Sequence, residues 1–187
     1  SSAGSVLSEL STHISTEKVD VPPLQLSHAQ LKQAIDKGAL WLTRGKNTQR
    51  LRRVKKVLQP GDELHFYYNE ELLTQEPAPA TLVSDCQQYS IWFKPYGMLS
   101  LGSKWSDHCT IERWVQKNLV PERPVFIVHR LDKAATGLMI VAHSKKSAST
   151  LSAMFEAKSV EQSSLQKHYQ IIVHGNARNL SENEAIN

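Results

Sequence analysis

Apolar and polar positions repeat with two different periods along this chain, and the switches between them mark out its elements. Ser27–Lys37 carries Leu31, Ala34 and Ile35 at helical spacing, with Ser27 placed as an N-cap and Gly38 just past the end. Ala39–Thr43 then alternates around Leu40 and Leu42, and Glu63–Tyr68 alternates around Leu64, Phe66 and Tyr68, so both read as strands. Between them lie a basic loop, Arg44–Lys56, and a Pro60-Gly61-Asp62 turn. Asn69–Ser84 is polar and spaced by prolines, which reads as a linker. Further on, Tyr89–Lys94 is a strand, Pro95–Met98 a turn, and Thr110–Asn118 a helix with Trp114 on its core face. Val125–Val128 and Leu138–Ala142 form the arms of a hairpin around His129–Gly137. Ser147–Lys158 is a helix with Leu151, Met154 and Phe155 on one side, and Lys167–Gly175 is a strand alternating Tyr169, Ile171 and Val173. The fold class this predicts is α+β.

Composition narrows the classes. The 187 residues are 40% hydrophobic, with a mean hydropathy of −0.39, and no apolar run approaches the roughly 18 residues that span a bilayer. Ser1–Lys18 lacks the basic start and apolar middle of a signal peptide and is expected to be a mobile leader, with Ser1–Ser5 an expression remnant. Cys86 and Cys109 read as two cytosolic thiols rather than a disulfide or metal site. The net charge of +4 is unevenly spread. Between Gln30 and Lys56, nine basic residues (Lys32, Lys37, Arg44, Lys46, Arg50, Arg52, Arg53, Lys55 and Lys56) face Asp36 alone. A solvated face normally balances its charges, so this stretch reads as a phosphate-docking surface.

The candidate chemistry lies in Val128–Leu138. Polar and charged residues between two apolar runs, closed by Thr136-Gly137, suggest a loop that presents the Asp132 carboxylate into a cleft. On the residues alone, an Asp that caps its turn or pairs with Arg130 is the competing account. His129-Arg130-Leu131-Asp132 followed by Thr136-Gly137-Leu138 resembles the H-R-L-D-x-x-T-S-G-L signature of the RluA-type RNA pseudouridine synthases, with Ala135 and Thr136 where that family has Thr and Ser. Phe93-Lys94-Pro95-Tyr96-Gly97 is similar to its N-K-P-x-G motif, with Phe93 in place of Asn. On the residues, Lys94 fits a phosphate contact and a surface lysine equally well. Lys167-His168-Tyr169 through Gly175 resembles the family's K-x-Y-x-x-x-V-x-G strand. Pro22–Asn69 resembles the small S-four-like RNA-binding module, through Ser27, Leu31, Lys32, Ile35 and Gly38 of its helix and the Gln59–Leu64 ending; Thr43–Lys46 stands where that module has an Asn-Gly turn.

The resemblance implies a leader over 1–18, an RNA-binding module over 19–69, a linker over 70–84 and a catalytic domain over 85–187. It implies isomerisation of uridine in structured ribosomal or transfer RNA, with Asp132 as the catalytic carboxylate. Tyr169 stacks on the base, and Arg130 fills the place of the flipped nucleotide. No redox or group transfer occurs, so no cofactor and no metal are expected; the protein is expected in the cytoplasm without an obligate protein partner. The family's R-T-H-Q-I-R-type segment, which supplies a cation to the aspartate, has no counterpart between Tyr169 and Asn187. The chain is therefore expected to hold about half of the catalytic domain and to be weak or inactive alone. The alternative is a non-catalytic RNA-binding protein, or an inactive fragment, on a partial synthase scaffold.

Overall fold

The computed structural model describes residues 6, 26–157, 167–172 and 174. Helix α1 (His28–Asp36) begins at a reciprocal cap, in which Ser27 accepts from the Gln30 amide and Gln30 Oε1 accepts from the Ser27 amide. Gly38 follows at φ +93°, a left-handed conformation that glycine adopts without a Cβ clash. Strands β1 (Leu40–Arg44), β2 (Asn47–Arg50) and β3 (Asp62–Phe66) form an antiparallel sheet in the order β2-β1-β3. Part of the expected basic loop is thus a strand. A two-residue Gly45-Lys46 turn, with Gly45 at φ +59°, pairs Arg44 with Asn47 and lets β2 run back along β1.

Leu40, Leu42 and Ile35 pack with Leu51 and Val6 into the first core. Val6 falls in the expected mobile leader, yet it is fully buried. Its apolar side chain covers surface that helix and sheet would otherwise expose. The expected linker is also structured. Helix α2 (Glu70–Thr74) is capped by Asn69 and carries Glu70 and Glu71 in its first turn, both favourable at a helix N-terminus. Leu73 anchors it against Ala34 and Ala39.

Strands β4 (Thr81–Asp85), β5 (Tyr89–Lys94), β6 (Phe126–Ile127) and β7 (Gly137–Ala142) form a second antiparallel sheet, ordered β4-β5-β7-β6. Helix α3 (Ile111–Asn118) packs Ile111 and Val115 against Trp92, Met98, Met139 and Val141 in the second core. Trp114 flanks this core as expected, and its indole donates to the Ala80 carbonyl at 3.0 Å. At the far end of the sheet Ser90 Oγ accepts from the Trp92 indole at 2.7 Å. Its own proton is then free for His143 Nε2 at 2.8 Å, so His143 Nδ1 carries the proton donated to Pro124 O. Helix α4 (Lys145–Glu156) is capped by Ser144, and its Lys158 end lies outside the described residues. Its expected core stripe is only half covered, with Met154 38% exposed. The expected strand at Lys167–Gly175 is absent from 167–172, which have no regular structure; Val173 and Gly175 lie outside the described residues. Alternation makes a strand only where a partner edge accepts its hydrogen bonds.

The two sheets meet through the loop before α3. Arg52 pairs with Asp107 and donates to the Asp36 carbonyl at 2.8 Å, while Arg50 donates to the carbonyls of Gly38 and Ser103 and stands 3.4 Å from Asp107. A Cβ on Gly38 would come within 2.6 Å of both Arg50 Nη1 and Asp107 Oδ1. Gly38 therefore ends the helix and also leaves room for the junction. Gly38→Ala should lower stability by about 2–3 kcal/mol. Gly45→Ala should cost only about 1 kcal/mol, because its φ is also positive but open space surrounds it. Urea unfolding of the two variants checks this; equal losses would mean the junction gives way freely.

Candidate active site

Asp132 lies on the loop between β6 and β7, and its side chain is exposed. Neither half of the competing account describes that side chain: the turn is closed by its backbone, with the Ala135 amide donating to Asp132 O at 3.1 Å. Among the described residues the carboxylate makes no ion pair with Arg130, which is also exposed.

The loop is held from beneath by residues of the Phe93–Leu101 segment. Lys94 has no exposed surface, and its ammonium donates to the carbonyls of Met98 (2.8 Å), Ala135 (2.7 Å) and Pro95 (3.2 Å). It is therefore neither a phosphate contact nor a surface lysine. The alternation that puts Trp92 into the core puts Lys94 there as well. Burial pushes the Lys94 ammonium below its ordinary pKa, and the negative charge of Asp132 opposes that shift. A buried cation under the loop thus interacts electrostatically with the candidate carboxylate. The Gly97 amide donates to Lys133 O at 2.9 Å, and Thr136 Oγ1 donates to Lys94 O at 2.9 Å. Ser100 Oγ accepts from the Leu131 amide at 3.0 Å and donates to the Leu131 carbonyl at 2.6 Å. The role of Ser100 was not legible from the sequence, because nothing in its neighbours marks it as facing Leu131.

His129 anchors the other side of the loop. Its Nε2 accepts from the Ile140 amide at 2.9 Å, which places the proton on Nδ1, and its ring stacks on Phe155 at 4.2 Å. Burial, with a smaller push from Lys167, lowers its pKa to about 4, against the opposing Arg130 backbone. The unfolded chain takes up this proton near pH 6.5 and the folded one only near pH 4. Stability therefore falls as pH drops from about 6.5 toward 4, by about 3 kcal/mol, because over that range only the unfolded chain takes up the proton. His129→Gln should flatten this part of the stability profile. Parallel thermal-unfolding profiles for the two chains from pH 7 to pH 4 would rule the effect out.

The basic residues divide into two sets. Lys37 donates to Leu73 O and Glu76, both at 2.8 Å. Arg44 pairs in a fork with its cross-strand neighbour Asp62, at 2.7 and 2.6 Å. The Arg44 hydrogen bonds, with the Gln59 amide, hold the Asp62 carboxyl down to about 2. Arg50 and Arg52 are turned into the junction. These four have protein partners that sequence spacing does not reveal. Lys32, Lys46, Arg53, Lys55 and Lys56 are exposed. Tyr169 is 64% exposed and is not brought into contact with Asp132 among the described residues. No group of three or more metal-ligating side chains occurs among the described residues, and Cys86 and Cys109 are both free. No helix among the described residues is long and apolar enough to cross a membrane.

Residues 88–187 match the family model of RNA pseudouridylate synthases. Over 135 residues the chain is 24% identical to an uncharacterized RNA pseudouridine synthase homolog of Mycoplasma pneumoniae, an alignment covering 63% of this chain and 38% of that protein. The chain thus spans about two fifths of the length of this curated relative. A solved structure of human RNA pseudouridylate synthase domain containing 4 is 22% identical, with a TM-score of 0.34, over 42% of this chain and 30% of the human one. The match covers the Asp132 loop, the lysine beneath it and more than half of all residues, and by it the chain belongs to the RNA pseudouridylate synthase family.

Proposed function

We propose that this chain carries the nucleophile-bearing part of an RNA pseudouridine synthase, with Asp132 as the catalytic carboxylate. The observation that carries this reading is the Asp132 loop itself. Its backbone is held by Lys94, Gly97 and Ser100 while the carboxylate stays open to solvent, within the segment that matches the family. A side chain placed this way can reach a nucleotide that has left the stack, at an unstacking cost of a few kcal/mol. In the reaction the bond from ribose carbon-1′ to uracil nitrogen-1 breaks, the base turns, and carbon-1′ bonds to carbon-5. The carbon-5 proton leaves to solvent and nitrogen-1 gains one. Asp132 acts by attack or by taking a ribose proton. Tyr169 stacks on the base, and Arg130 fills the gap in the RNA.

The substrate is structured ribosomal or transfer RNA, bound by an S-four-like module over 19–69 and isomerised by the domain beginning at 85, in the cytoplasm and without a cofactor. Lys32, Lys46, Arg53, Lys55 and Lys56 make the phosphate contacts, and they give binding its dependence on salt. One observation favours a second reading, a non-catalytic RNA-binding protein: Tyr169 lies exposed and outside any strand. Tritium release from carbon-5-labelled uridine in RNA separates the two. Release is the expected result, weak from this chain alone. Its absence alongside salt-sensitive RNA binding would favour the second reading or an inactive fragment, and release regained when a catalytic domain of the relative's full length is supplied would decide for the fragment.

A further inference from the structure

The segment Ser100–Asp107 belongs to neither motif that marks the site, yet it touches both sheets' neighbourhoods. At its start, Ser100 exchanges two hydrogen bonds with Leu131, the residue before Asp132. At its tip, Ser103 O accepts from Arg50 at 2.7 Å and Lys104 O accepts from the Trp41 indole at 2.9 Å. Trp105 meets Tyr67 edge-on at 5.7 Å, and Asp107 binds Arg52. The segment is also closed on itself. The Leu99 amide donates to Cys109 O at 3.1 Å, the Ile111 amide to Leu99 O at 2.8 Å, and the Ser103 amide to Ser106 O at 3.0 Å. Asp107 O accepts from both the amide and the hydroxyl of Thr110, the cap of α3. From Arg50 and Arg52 to Asp132 the path thus runs through short backbone steps and hydrogen bonds.

We propose that Ser100–Asp107 is a specificity-determining strap. It holds the exposed cations beside the first sheet (Lys46, Arg53, Lys55 and Lys56) at a fixed distance from Asp132, so a uridine is chosen by its separation from the phosphates gripped there. This rests on the reading of Asp132 and RNA given above. A flexible tether would let the carboxylate serve uridines over a range of separations, at an effective concentration set only by its length. A strap admits one separation and penalises the others. Ordinary packing between two units, by contrast, would leave the Leu131 amide indifferent to a change at Asp107.

The test compares an RNA stem-loop with uridines in its loop, which spans both parts, with a uridine hexamer, which occupies one. Asp107→Arg places like charges at the junction and should weaken stem-loop binding about tenfold or more, with hexamer binding within about twofold of wild type. Exchange of the Leu131 and Gly97 amides should quicken about tenfold. The charge swap Arg52→Asp with Asp107→Arg should restore both in part, since Arg50 still faces position 107. Trp105→Ala breaks the edge contact and one of the two ring contacts of the Lys104 ammonium, leaves every ion pair in place, and should give the same pattern at smaller size, even where Asp107→Arg does not fold. Unchanged stem-loop affinity and unchanged Leu131 exchange in the folded variants overturn the strap. If wild type binds neither RNA, the RNA reading fails, and the strap is judged by exchange alone. An unmoved Leu131 amide then overturns it as well.

Discussion

Asp132→Asn is expected to abolish tritium release from carbon-5-labelled uridine, a loss of about a thousandfold or more, while leaving the fold and RNA affinity in place. The size follows from the chemistry, since an amide neither attacks carbon-1′ nor takes a ribose proton. The selectivity follows from the structure. The side chain is exposed and makes no hydrogen bond among the described residues, and its loop is tied down through backbone groups that the substitution keeps. An exposed, nearly isosteric change away from any packed feature falls within about 0.5 kcal/mol in stability. The measurement is turnover beside urea unfolding and RNA binding at matched salt. Turnover retained by Asp132→Asn would remove the aspartate from the mechanism.

Lys94→Met should give the opposite pattern, with stability lost first and function only as a consequence. Methionine fills a similar volume, but the carbonyls of Met98 and Ala135 would lose their donor in a buried setting. Each unsatisfied buried group costs about 1–3 kcal/mol, so the expected loss is about 3–5 kcal/mol, seen in urea unfolding. Proteolysis of the 129–136 loop should quicken with it, since Lys94 ties Ala135 to the Met98 turn. Removing the ammonium also takes away a buried cation that interacts electrostatically with the candidate carboxylate. A Lys94→Met chain as stable as wild type would mean that water or backbone shifts satisfy those carbonyls, and the clamp would not be what holds the loop.

The local elements were legible because their signals are local. Ser27 with Gln30 and Gly38 bounds α1, Thr110 caps α3, and the alternation from Tyr89 to Lys94 gives β5 residue for residue. The H-R-L-D signature located the Asp132 loop between its two strands, and that loop lies inside the family match. Where the sequence reading departed from the structure, distant partners decided. Periodicity assigns Lys94 to one face of β5, but only the folding of 131–136 against the Met98 turn makes that face a buried cage of carbonyls. Charge counting grouped Arg50 and Arg52 with Lys55 and Lys56. Asp107, more than fifty residues away in sequence, turns the first two inward and leaves the others in solvent. The alternation at 167–172 specified a strand that no partner edge completes among the described residues. By itself the sequence determined where α1, β1, β3, β5, α3 and the β6–β7 hairpin lie and which carboxylate that hairpin loop presents, whereas β2, α2 and β4 stood in stretches that read as loop or linker. The tertiary structure alone decided which cations remain free for a phosphate, because an ion pair or a buried hydrogen bond depends on where a distant group arrives, which no local spacing records.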